Sequence, residues 1–234
     1  MNESLLLLTA LSSALIVVGG WRAGKERLYS VIIIFLVLIT AVGGKIVSFF
    51  GHETNTGNIF YASVFLATYF LIERFGRREG IYSIWVGVAA VVFFSVLVRL
   101  TVLLTGSEAT ASLNGALDIA FGSVPRVAFA SLLGYALSQS LNVYLYLFLK
   151  ERMRGGRLWL RANICNAAAQ LLDSAVFFSI AFWGVASSVN IVDVIFTGLA
   201  IKIVYMMFAS PLLYLNEIEE EQDAEGTVMI TLRN

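Results

Sequence analysis

GIYSIWVGVAAVVFFSVLVRLTVLLT, residues 80–105, contains a single charged side chain, Arg99. As a helix rising about 1.5 Å per residue, such a run covers the roughly 30 Å of hydrocarbon in a bilayer. Six further apolar runs of comparable length lie on either side of it, at about 4–21, 28–50, 59–75, 124–149, 162–186 and 191–215. The whole chain agrees: 59% of its residues are hydrophobic, 14% are charged, two are prolines, and the mean hydropathy is +0.82. That composition excludes a water-soluble fold. The expected class is an all-α, polytopic helical membrane protein of about seven transmembrane helices.

The connectors give the expected orientation. Arg22, Lys25 and Arg27 follow the first run, none lies in 51–58, and Arg74, Arg77 and Arg78 follow the third. Connector 106–123 has no cation, whereas 150–161 carries Lys150, Arg152, Arg154, Arg157 and Arg161. Since cations stay on the cytoplasmic side, the N-terminus is placed outside and the C-terminus inside. Met1-Asn2-Glu3 lacks the positive leader of a signal peptide, so the first run reads as a span. The expected divisions are residues 1–27 as an N-terminal extra helix with a basic loop, 28–215 as a six-helix core and 216–234 as an acidic cytoplasmic tail. Connector 106–123 is expected to form a partly ordered external cap.

Several chemistries lack their parts. Sixteen cations balance sixteen acids, which gives no reason to expect nucleic acid. One cysteine, Cys165, and one histidine, His52, cannot build a disulfide framework or a His/Cys metal site, and no cofactor is expected. His52 lies in an external connector, and neither Gly-x-Ser-x-Gly nor His-Glu-x-x-His is present, so an intramembrane protease is not expected.

Polar residues inside the spans carry the functional signal, because an ionisable side chain at mid-bilayer costs about 2.5–3.5 kcal/mol unless it finds a partner or water. Lys45 and Arg99 fall near outer helix ends and can snorkel. Glu73 is expected in a solvated pair with Arg74 and Arg77. Asp173 and Lys202 fall near the middle of their spans. At about 100° per residue, Asn163, Asn166, Gln170 and Asp173 share an arc of roughly 80°, and Ser131, Tyr135, Ser138, Gln139 and Asn142 one of roughly 100°. Asn58, Tyr61, Phe65, Tyr69 and Glu73 share a side of the third span. Three such stripes can enclose one cavity. Helix-to-helix glue is the competing reading for any single Asn, Gln or Ser, at about 0.6 kcal/mol per bond. Glue requires no acid and amine at mid-depth. A carboxylate accepting paired N–H groups, carboxamides that donate and accept, and aromatic faces for stacking suit a flat, guanine-like heterocycle.

Arg126-Val127-Ala128-Phe129-Ala130-Ser131, Ser138-Gln139-Ser140-Leu141-Asn142, Trp159-Leu160-Arg161 and Gln170-Leu171-Leu172-Asp173-Ser174 resemble the vitamin uptake transporters associated with queuosine precursors. Gly57-Asn58-Ile59-Phe60-Tyr61, Phe65-Leu66-Ala67-Thr68 and Glu73-Arg74-Phe75-Gly76 are similar to that family's third-span pattern. The resemblance covers about 28–215. It implies a multi-pass importer in the cytoplasmic (inner) cell membrane that takes up 7-deazaguanine bases for tRNA-modification salvage. It also implies operation without a dedicated ATPase subunit, and a homodimer. Two acids of the family pattern are replaced here by Tyr69 and Asn142, whereas Asp173, Gln170, Gln139, Arg126 and Lys202 match it. The expected partners are a purine-like small molecule and the lipid bilayer. The expected site is Asp173, Gln170, Asn166, Gln139, Asn142, Tyr135, Ser138, Tyr69, Lys202, Arg126 and Asn58. Asp173 would read the N–H edge, Lys202 would balance it, and Tyr135 and Tyr69 would stack. The rivals are an importer of another vitamin-like heterocycle and a seven-helix retinal photoreceptor with Lys202 as Schiff base; the photoreceptor lacks a third-span carboxylate at mid-depth.

Overall fold

The computed structural model describes residues 2–43, 45–121, 125–154, 156–181 and 191–216, apart from the side chains of 125–128, 178, 181 and 191–194. Eight α-helices are found among them: α1 (Asn2–Arg22), α2 (Lys25–Val42), α3 (Gly57–Phe75), α4 (Arg77–Val102), α5 (Ala111–Phe121), α6 (Pro125–Arg152), α7 (Leu158–Ala181) and α8 (Ile191–Ala209). Seven are long, from 18 residues in α2 to 28 in α6, while α5 has 11. A 3-10 turn continues α8 over Ser210–Tyr214. The expected tail, from 217 onward, lies outside the described residues.

Four segments, Asn2–Arg22, Arg77–Val102, Phe129–Arg152 and Ile195–Tyr214, are long and apolar enough to cross a membrane by themselves. The other long helices fall short for identifiable reasons. Lys25, Glu26 and Arg27 charge the first turn of the short α2, while α3 and α7 carry the polar stripes. Helix α3 is the axis of the bundle: apart from Phe60, every residue from Gly57 to Ile72 is buried, between α1, α2, α4 and α8. Its Asn, Ser and Thr therefore need not meet lipid. Helix α4 is the opposite case, with Tyr82, Trp85, Phe93, Leu97 and Leu100 all exposed along its length. In water that face would be an aggregation hazard; against acyl chains it is matched.

The long helices alternate in direction. At one pole Arg74 at the end of α3 donates from Nη1 to the Trp21 carbonyl at the end of α1 (3.1 Å), and Trp21 Nε1 donates to Asn216 Oδ1 beyond α8 (2.6 Å). At the same pole Lys25 on α2 pairs with Glu79 on α4 (3.5 Å), and Glu73 on α3 meets Lys150 of α6 and Arg161 of α7. The basic connectors thus gather at one end, as the charge alternation requires.

One expected span is shorter than predicted. Helix α2 stops at Val42, and residues 46–55 form an antiparallel hairpin of β1 (Ile46–Phe49) and β2 (His52–Asn55), with Ile46 opposite Asn55 and Phe49 opposite His52. Its two-residue turn has positive φ at both Phe50 (48°) and Gly51 (82°), the conformation that matches the twist of a tight hairpin. Lys45 therefore precedes a strand and is not the snorkelling end of a helix. In connector 106–123 a 3-10 turn over Glu108–Thr110 leads into α5, in which no residue is buried, and residues 122 and 123 lie outside the described residues.

Candidate functional site

Helices α6 and α7 lie antiparallel and set the depth of the polar side chains. Two pairs fix their register: an added Cβ at Gly134 would come within 2.9 Å of Asp173 Oδ1, and three turns along Arg161 Nη2 donates to Tyr146 Oη at 3.2 Å. Small residues let polar groups enter from other directions too, since a Cβ at Gly198 would lie 2.7 Å from Asn58 Nδ2 and one at Gly87 2.6 Å from the Tyr135 hydroxyl. These glycines are site-shaping residues that polar periodicity could not single out.

The acid and the amine meet. Lys202 Nζ stands 3.4 Å from Asp173 Oδ2, and Tyr61 Oη donates to Asp173 Oδ1 at 2.8 Å. Tyr61 Oη is also 3.0 Å from Ser138 Oγ, its ring lies under Lys202 Nζ (4.5 Å to the centroid), and Tyr135 packs on it edge to face at 6.2 Å. Asp173 and Lys202 keep 16% and 10% of their side-chain surface exposed, so the pair is reachable without being solvated. Tyr61 is the residue that the sequence reading placed on a stripe but left without a role. Asn58 sits one turn from it toward the hairpin and donates to Thr54 Oγ1 at 3.0 Å.

A carboxamide layer lies further toward the basic pole. Tyr69 Oη is 2.6 Å from Asn142 Oδ1 and 3.0 Å from the Ala162 carbonyl; Asn142 Nδ2 donates to Gln139 Oε1 (3.3 Å) and Gln170 Nε2 to Asn166 Oδ1 (3.4 Å). Gln139, Asn142, Asn166 and Gln170 are all fully buried. Gln139 Nε2, Asn166 Nδ2 and Gln170 Oε1 nevertheless have no hydrogen-bond partner among the described residues. A buried polar atom left unmade costs about 1–3 kcal/mol, so two free donors and one free acceptor in one layer call for an explanation.

Several expectations change here. Tyr69 is not an open stacking platform, because Tyr146 lies against its ring at 4.6 Å and 29°. Asn163, expected only on the polar stripe, joins α7 to the 3-10 turn: its Nδ2 donates to the Trp159 carbonyl and to Ser210 Oγ, both at 2.8 Å. Glu73 does not pair with Arg74 and Arg77. It receives Arg161 Nη2 at 2.8 Å and Lys150 Nζ at 2.9 Å, since the antiparallel ends of α6 and α7 face it and Arg74 turns away over Trp21. The side chain of Arg126 lies outside the described residues. Gln139, Asn142, Asn166 and Gln170 meet in closed packing between α6 and α7. A cavity of about 400 Å³ lies elsewhere, among Leu8, Ser12, Val31, Phe35 and Phe60 of α1, α2 and α3.

An α-helical, multi-pass membrane protein that places an acid, an amine and unmatched carboxamides in its interior has the outline of a solute carrier. Residues 55–216 match the family described as "Putative vitamin uptake transporter", and the chain belongs to that family of membrane transporters. It is similar to the "Probable queuosine precursor transporter" of Bacillus subtilis (strain 168), 32% identical over 176 residues, 73% of this chain and 74% of that protein. No solved structure matches the chain. The photoreceptor outline is not favoured, because the family match accounts for the same helices as a transporter.

Proposed function

We propose that this chain is an importer of purine-like heterocycles of the 7-deazaguanine class. In this reading its seven long helices span the cytoplasmic membrane, with the N-terminus outside and access alternating around the Asp173 site. One observation carries the reading: an Asp173–Lys202–Tyr61 cluster lies beside a buried carboxamide layer with two donors and one acceptor unmatched. A flat base with a lactam carbonyl, ring nitrogens and an amino group offers two acceptors and paired N–H donors, the complement of those atoms. Asp173 reads the amidine edge, Gln139 and Asn166 donate to the base, and Gln170 accepts from it. Tyr61 and Tyr135, rather than Tyr69, provide the aromatic wall. The relative from Bacillus subtilis supports the substrate class, and the gathering of basic connectors at one pole supports the orientation.

The mechanism follows from the layers. Asp173 arrives with its charge balanced by Lys202, so the site itself adds no net charge to the bilayer, and the N–H groups of the substrate's heterocycle replace part of what Lys202 and Tyr61 supply. On the cytoplasmic side, Tyr146 and the Glu73–Arg161–Lys150 cluster close the exit, with Arg161 fully buried. Release requires that cluster to part as α6 and α7 rock against α3. The test is uptake into proteoliposomes with 7-cyano-7-deazaguanine, 7-aminomethyl-7-deazaguanine, queuine and guanine as substrates. Uptake of a 7-deazaguanine by the wild type and its loss in Asp173→Asn is expected. Transport of none of the four would sink the substrate assignment.

A further inference from the structure

We propose that the groove between the end of α3, the start of α4 and the end of α6 is a headgroup site for an anionic phospholipid of the cytoplasmic leaflet. The groove encloses about 400 Å³ and is lined by Arg77, Lys150, Arg154 and Glu151 over an apolar floor that includes Ile72 and Leu147. Charge decides the headgroup. Among the described residues that line the groove or join its Lys150 through Glu73, two are carboxylates, Glu151 and Glu73, and four are cations, Arg77, Lys150, Arg154 and Arg161. Glu73 is already shared by Lys150 and Arg161 at 2.9 and 2.8 Å, which leaves, among these described residues, Arg77 and Arg154 against Glu151, one positive charge in excess. A phosphodiester supplies what is missing, and basic pockets between helices on the cytoplasmic side are suited to lipid phosphates.

Two details describe the setting of the arginines. Arg154, just past the end of α6, adopts φ 51°, a left-handed conformation that costs a non-glycine residue free energy. Arg77 lies over the Tyr144 ring at 5.5 Å, which holds its guanidinium against α6 where the groove meets the exposed face of that helix. The same face of α6 continues away from the groove as Tyr144 and Phe148, both more than half exposed. Tyr144, Leu147, Phe148 and Glu151 share that face by helical spacing. An apolar track running from a cationic groove into the hydrocarbon fits a lipid with its chains attached, and a free phosphate would leave it unused.

The inference rests on the orientation proposed above. It is tested by native mass spectrometry of the full chain, released from micelles doped with equal phosphatidylglycerol and phosphatidylcholine. Retention of phosphatidylglycerol over phosphatidylcholine is expected. Arg77→Gln with Arg154→Gln should weaken that retention by about ten-fold or more, with the melting curve kept. Arg152→Gln, a neighbouring cation outside the groove, should not. Equal retention of the two lipids, an unchanged double variant, or an equal loss in Arg152→Gln would overturn the site. Displacement by millimolar inorganic phosphate would overturn the lipid as its occupant. Because retention is measured without substrate, its failure leaves the transport reading standing, and failed uptake leaves this one.

Discussion

Asp173 is where structural and functional explanations separate. A buried ion pair with a purely structural purpose would tolerate replacement of both partners by apolar or neutral groups, whereas removal of one partner leaves an uncompensated charge and costs about 3–5 kcal/mol. Asp173→Asn is therefore expected to destabilise the protein, and Asp173→Asn with Lys202→Met to recover most of that loss. Uptake should stay abolished in both. Recovery of transport along with the melting temperature would reduce the pair to scaffolding. Tyr69→Phe tests a different contact. It removes the hydroxyl that Asn142 Oδ1 and the Ala162 carbonyl share and strands Asn142 in a dry interior. A loss of about 1–3 kcal/mol in unfolding free energy is expected, with the substrate preference unchanged because Tyr146 already covers the ring. A shifted preference would return Tyr69 to the binding surface.

At the scale of elements, the ends of α3, α6 and α7 are joined through Glu73, and the joint lies between the carboxamide layer and the basic pole. Cys165 is a natural reporter of it: the thiol is buried and sits one turn from Arg161 on α7. In Glu73→Gln the attraction to both cations weakens, and Cys165 is expected to react several-fold faster with a small maleimide applied from the cytoplasmic face. Saturating substrate should alter that rate if the joint is the exit. An unchanged rate in the variant would show that the cluster does not gate access. The hairpin at the other pole marks the opposite limit of helix prediction. Lys45-Ile46-Val47-Ser48-Phe49-Phe50 reads as a continuation of α2 because it is apolar, yet its β-branched residues and the following Gly51 suit a strand and a tight turn.

For the whole molecule, the alternation of the long helices makes topology measurable. Asn2→Cys is expected to be labelled by an impermeant thiol reagent in intact cells, and Arg152→Cys only after permeabilisation. Labelling of both from one side would break the seven-span reading, since the two positions lie at opposite poles of the bundle. The membrane class, the alternation of basic connectors and the identity of Asp173, Lys202, Gln139, Asn142, Asn166 and Gln170 as interior polar residues were legible from the sequence, because hydrocarbon penalises each charge and each unpaired amide wherever it falls. Which of those residues meet was not. Tyr61 bonding to Asp173, Tyr146 covering Tyr69, Glu73 choosing Arg161 over its own helix neighbours and the glycines that admit Asn58 and Asp173 all depend on the rotation and register of helices distant in the chain. Apolar periodicity states which side of a helix avoids lipid; only packing against the other helices determines what that side touches.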